Sequence, residues 1–142
     1  MPKIHVPLPI RRTVIERALG YCEYCQLPAS FSPSSFNFEH IIPLIKQGLT
    51  TLEHLAFSCG GCNAHKKDKV KALDALTRQL SPLFNPRTDI WSDHFEWNDD
   101  DLQIIGSSPT GRATVQLLKV NRESNINLRR LLKMAGLHPP VL

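Results

Sequence analysis

No stretch of this chain approaches the roughly 18 consecutive apolar residues that a membrane-spanning helix needs, and this excludes an α-helical membrane span. The opening segment is interrupted by Pro2, Pro7 and Pro9 and offers no unbroken apolar core for a secretory signal, so the expected location is the cytoplasm. Charge is sparse in both signs. Charged residues make up 21% of the chain, and 17 Lys+Arg against 13 Asp+Glu leave a net charge of only +4. So small an excess permits a polyanionic partner without requiring one, and the placement of the cations carries more information than their sum. Internal repeats, low-complexity tracts and long linkers are also missing. With 42% hydrophobic residues the composition excludes intrinsic disorder, and 142 residues suit one domain with a modest core. The expectation is a single domain over 1–142, with a core at about 11–80 and a C-terminal extension at 81–142.

Cysteine is scarce but ordered. Its four copies form two pairs, Cys22-x-x-Cys25 and Cys59-x-x-Cys62. A two-residue gap lets both sulfurs of one tight turn reach the same ion, and two such turns complete a tetrahedron. The alternative is two disulfides or free thiols. A reducing compartment disfavours the disulfides, and no cysteine is left over from the pairing. The spacing therefore predicts a structural four-thiolate zinc site with no open position for catalysis.

Periodicity and turn residues give a coarse α+β reading. Ile10, Val14 and Ile15 recur at helical spacing before Gly20, which predicts a short helix from Ile10 to Leu19 leading into the first knuckle. Phe36 to Ile41 alternates as a strand does and stops before Pro43, and Gln47-Gly48 marks a turn. Leu49 to Phe57 reads as a connector. A helix is predicted from about Asn63 to Leu80, because Val70, Leu73, Leu76 and Leu80 form a stripe at helical spacing. Further on, Phe95–Trp97 and Leu102–Ile105 flank a polar loop as in a β-hairpin. Thr110–Leu118 reads as a helix, and Asn121 could cap another that runs to about Ala135 before Gly136.

Between the knuckles stand Glu39-His40, Pro43, His54-Leu55 and then Cys59-x-x-Cys62-Asn63-x-x-Lys66. In this order, over residues 11–67, the chain resembles the HNH endonucleases, zinc-stapled members of the ββα-metal (His-Me finger) nucleases. Leu83–Trp97 and Thr110–Thr114 also resemble the tail of one bacterial subgroup of HNH proteins. The resemblance implies an α+β fold: a ββα-metal core with four-cysteine zinc knuckles, followed by a C-terminal hairpin and helices. It also implies metal-dependent cleavage of phosphodiesters, most simply in double-stranded DNA, leaving 5′-phosphate and 3′-hydroxyl ends.

The implied roles agree with what the reaction needs. A neutral imidazole can take a proton from water, which makes His40 the general base. Hard oxygen donors suit Mg²⁺ or Mn²⁺, which makes Glu39 and Asn63 the ligands of a catalytic divalent ion. Two departures stand out: Glu39 occupies a position where the family usually has Asp, and His54 replaces the Asn that helps to hold the base. His54 is assigned to the catalytic set on that ground. Lys66 and Lys67 are read as phosphate contacts, with Arg11, Arg12, Arg17, Arg112, Arg122, Arg129 and Arg130 widening the basic footprint. Trp91 and Trp97 are read as core residues rather than base-stacking platforms. Adjacent strand residues face opposite ways, so Glu39 and His40 share one site only if the strand ends or bulges there. Two other readings remain. One is a zinc-knuckle module that binds nucleic acid without cleaving it. The other is a degenerate nuclease serving a larger defence or mobile-element complex. Cleavage of both strands would call for a homodimer or a second cutting event.

Overall fold

The computed structural model describes residues 5–142. Met1–Ile4, the start of the proline-broken lead, lie outside the described residues.

Helix α1 spans Leu8–Arg17 and carries a proline in its first turn, where a missing N–H costs nothing. It starts two residues before its sequence-predicted beginning and ends through Leu19 and Gly20, both at positive φ. Its buried face, Val14 and Ala18, packs with Val6 against Leu55 and Phe57.

Strands β1 (Asn37–His40) and β2 (Leu55–Ser58) form an antiparallel pair in regular register, from Asn37 opposite Ser58 to His40 opposite Leu55. All four β2 residues are buried, so no alternation marks this strand, and the connector expected there is a strand instead. The chain between β1 and β2 folds back tightly. Gln47 takes a left-handed conformation, and a Cβ on Gly48 would lie only 1.7 Å from the Ile42 carbonyl oxygen. Glycine is required there by the close approach.

Helix α2 follows immediately (Gly60–Lys66). Its Cys59 N-cap accepts a hydrogen bond from the Cys62 N–H. The helix ends at Lys67, whose φ is 53°, so the predicted helix to Leu80 is not formed. An antiparallel hairpin, β3 (Lys71–Asp74) and β4 (Gln79–Pro82), takes its place. The apolar stripe does not mark a helix, because Leu73 and Leu80 face each other across two strands instead of following one another along one axis. The turn is fixed by Asp74, whose carboxylate accepts from the Leu76 and Thr77 N–H groups and the Thr77 hydroxyl. The same carboxylate takes a two-pronged bond from Arg112, at 2.9 and 3.0 Å. A long-range ion pair thus overrides a local helical pattern.

After a short α3 (Trp91–His94), strands β5 (Phe95–Trp97) and β6 (Ile104–Gly106) form the expected second hairpin. Helix α4 (Pro109–Leu118) is capped by the Ser108 hydroxyl, which accepts from the Gly111 N–H. Helix α5 spans Glu123–Met134. Asn121 does not cap it. Its side chain pairs instead with both backbone groups of Ile104, at 2.8 and 2.9 Å.

One buried apolar cluster joins the cysteine knuckles and Tyr24 to Leu83, Phe84, Phe95, Ile104, Leu118 and Val120. Trp91 and Trp97 pack against that cluster, and the Trp91 indole N–H donates to the Tyr24 carbonyl. Arg129, expected at the surface, is fully buried. Its guanidinium bonds the carbonyls of Leu102, Val120 and Cys25 and lies 5.2 Å from the Trp97 ring centre. Among the described residues no helix is long and apolar enough to cross a membrane.

Candidate functional site

Two juxtaposed turns build a candidate metal site. Glu23 ties the first knuckle to β2: its N–H donates to the Phe57 carbonyl and its carboxylate accepts from the Phe57 N–H. That anchor brings Cys22 and Cys25 beside Cys59 and Cys62 at the start of α2. All four thiols are buried and unbridged, and their sulfurs lie within 4.8 Å of one another. The Cys25 N–H points at Cys22 Sγ and the Cys62 N–H at Cys59 Sγ. Burial pushes the Cys22 thiol up, so thiolates there need compensating positive charge. Four soft donors at this separation, with N–H groups aimed at sulfur, are positioned to bind a metal ion.

Arg122 supplies further charge. Its Nη2 lies 3.6 Å from Cys59 Sγ. A side chain at Gly61 would strike that guanidinium, since an added Cβ falls 2.4 Å from Nη2. No local feature of the sequence singles out Arg122, because its partner lies 63 residues earlier in the chain.

The regular pairing of β1 sends Glu39 and His40 to opposite sides of the strand. Glu39 points inward. Its Oε1 lies 2.6 Å from Lys66 Nζ, and Oε2 accepts from the Tyr24 hydroxyl at 2.7 Å. Burial raises the Glu39 carboxyl, opposed by Lys66 and Tyr24. Burial beside Glu39 also pushes the Tyr24 phenol up. Lys66, expected at a phosphate-binding surface, is 1% exposed. Besides Glu39, it donates to the Ile41 carbonyl at 2.9 Å.

His40 faces the other way, half-buried at the end of β1. Its Nε2 lies 2.9 Å from the Thr50 hydroxyl. Burial and the neighbouring His54 push the imidazole below the ordinary histidine value, which keeps it neutral at pH 7. His54 is half-buried, and its Nδ1 accepts from the Leu49 N–H at 3.3 Å. The Ile41 N–H, in turn, donates to the His54 carbonyl. Thr50 and Tyr24, which hold the two central side chains, carry no motif of their own.

Asn63 is half-buried on the first turn of α2, and its amide makes no side-chain hydrogen bond among the described residues. Lys67 is exposed. His65 turns back onto its own helix and bonds the Gly61 carbonyl.

Residues 22–69 match the HNH endonuclease family model. The matched HNH segment opens on the first cysteine, contains β1, β2 and α2, and closes just before β3. It therefore includes both knuckles, Glu39, His40, His54, Asn63, Lys66 and Lys67, whereas Arg122 and Arg129 lie outside it. No curated protein and no solved structure matches the chain.

Proposed function

We propose that this protein is an HNH endonuclease that hydrolyses phosphodiester bonds, with double-stranded DNA as substrate. The observation that carries the reading is His40. Inside a segment matching the HNH endonucleases, a partly accessible imidazole is held by Thr50 and kept neutral by burial and by His54.

In this reading His40 accepts the proton of the attacking water, and Thr50 fixes the ring so that one nitrogen stays free. His54 orients the loop that carries Thr50 through its bond from Leu49. Asn63, whose amide is uncommitted, would contribute a hard oxygen ligand to a divalent ion such as Mg²⁺ or Mn²⁺, which when bound neutralises the phosphate and the departing oxygen. Glu39 does not fit that role as it stands: it faces away from His40, and its two oxygens are engaged by Lys66 and by the Tyr24 hydroxyl. Lys67 contacts the phosphate backbone, whereas Lys66 stays inside with Glu39. The four cysteines hold a zinc ion whose role is structural, within one domain that includes the C-terminal hairpin and helices.

The engaged state of Glu39 favours a second reading, a zinc-stapled nucleic-acid-binding module without catalysis. Supercoiled plasmid incubated with Mg²⁺ or Mn²⁺ separates the two. Nicking or linearisation by the wild type and none by His40→Ala supports the nuclease. Equal binding with no cleavage by either protein supports the module.

A further inference from the structure

The β3–β4 hairpin has an inner and an outer face of opposite character. Inward, Ala72, Asp74 and Ser81 are covered, and Asp74 is clamped to Arg112 on α4. Outward, Leu73 and Leu80 pair across the strands at 54% and 71% exposure, and Leu76 at the tip is 73% exposed. Apolar side chains so open on a small two-stranded ribbon mark an interaction surface. Around them stand four exposed cations, Lys67, Lys69, Lys71 and Arg78, against one exposed carboxylate, Asp68. None of the four cations forms a salt bridge among the described residues.

That charge decides the occupant. A second copy docked about a two-fold axis would set this basic rim against itself. A polyanion with apolar features matches instead. The major groove of duplex DNA admits a two-stranded ribbon, presents thymine methyl groups to apolar side chains and is walled by phosphates. The hairpin also borders the matched HNH segment. Its root residues Val70, Lys71 and Pro82 share a cavity of about 390 Å³ with Lys66, Ile41 and Ile42.

We propose that the β3–β4 hairpin is a DNA-docking ribbon that lays its Leu73–Leu80 face in the major groove, with Lys69, Lys71 and Arg78 on the flanking phosphates. The proposal rests on the nuclease reading only for the choice of DNA as the polyanion. It assigns affinity to a hairpin lying outside the matched HNH segment, with Lys69 just before it inside that segment.

The test is fluorescence anisotropy of the full chain on a labelled DNA duplex, without added divalent ion and across a salt series. The variant Lys69→Ala/Lys71→Ala/Arg78→Ala is expected to weaken binding at least tenfold and to flatten the salt dependence by two to three phosphate contacts, about 0.9 in slope for each. Leu73→Ser/Leu80→Ser is expected to weaken binding severalfold with an unchanged salt slope. All substituted side chains are exposed, so melting temperatures should match the wild type. A duplex RNA should compete poorly, because its deep, narrow major groove excludes the ribbon.

Unchanged DNA affinity in both variants, no duplex binding by the wild type, or equal competition by duplex RNA would overturn the proposal. So would a leucine variant that dissociates a dimer in sedimentation while binding DNA normally, since a second copy would then cover this face. A wild type that binds through the hairpin but never cuts retains the ribbon and removes the nuclease. Cutting with hairpin variants that bind normally does the reverse.

Discussion

Lys66 is buried to 1% beside a carboxylate buried almost as deeply, and each charge is tolerable only in the company of the other. Replacing Lys66 by Met strands the Glu39 charge and leaves the Ile41 carbonyl without its donor. The expected loss is roughly 3–5 kcal/mol in urea unfolding. The double variant Lys66→Met/Glu39→Gln should recover much of that loss, since no uncompensated charge remains. Equal losses in single and double variants would show that the lysine acts through packing alone. Sequence spacing identifies Lys66 as important but not in which capacity. A lysine in a basic run reads as solvated, and only the position of β1 behind α2 turns it inward. His40 is more legible, because its place after an acidic residue and between two knuckles is local information. The neutral state of the ring is not, since it depends on burial and on His54, which the return of the chain into β2 brings near.

Among the elements, the cysteine turns are the most legible and the β3–β4 hairpin the least. Two C-x-x-C turns carry their geometry in four residues each, and the sulfurs converge as expected. The run from Asn63 to Leu80 has helical spacing but breaks at Lys67, because the Asp74–Arg112 ion pair and the capped turn at Leu76–Thr77 reward a hairpin. The C-terminal helices also reach the four-cysteine cluster. Arg122 approaches Cys59 Sγ from the start of α5, and Gly61 leaves it the room. Arg122→Met is therefore expected to release zinc to a chelator roughly 10–100-fold faster than the wild type, followed with a colorimetric zinc indicator. Wild-type release rates in the variant would reduce Arg122 to a packing residue. Cys59→Ser, which removes one of the four thiolates while leaving a hydroxyl to cap α2, should leave the protein largely unfolded by circular dichroism even with zinc in excess.

For the whole molecule, closure at the C-terminal end produces a pH dependence. His138 is 8% exposed, stacks edge-on to Trp97 at 4.6 Å and lies 2.6 Å from the Asp101 carbonyl. Burial lowers its protonation below the ordinary value of 6.5, partly opposed by that carbonyl. The unfolded chain thus binds this proton more readily than the folded one. The contribution to stability is complete above pH 6.5 and is lost as pH falls from there through the lower folded value. The wild-type melting temperature should therefore decline between pH 7 and pH 5, and His138→Phe should decline less. Parallel declines would assign the effect to other groups.

The amino-acid sequence by itself determined the local chemistry: the paired cysteines, the acid–histidine step, the helix boundaries at Gly20 and Gly136, and the second hairpin. Each of these is written in neighbouring residues, through turn geometry, capping or alternation over a few positions. Tertiary structure alone decided that Lys66 lies inside, that Arg129 spans buried carbonyls, that Arg122 faces a thiol and that residues 71–82 form a ribbon. Those outcomes depend on partners tens of residues away, and the burial of a charge or the pairing of two strands has a free energy only once the partner is in place.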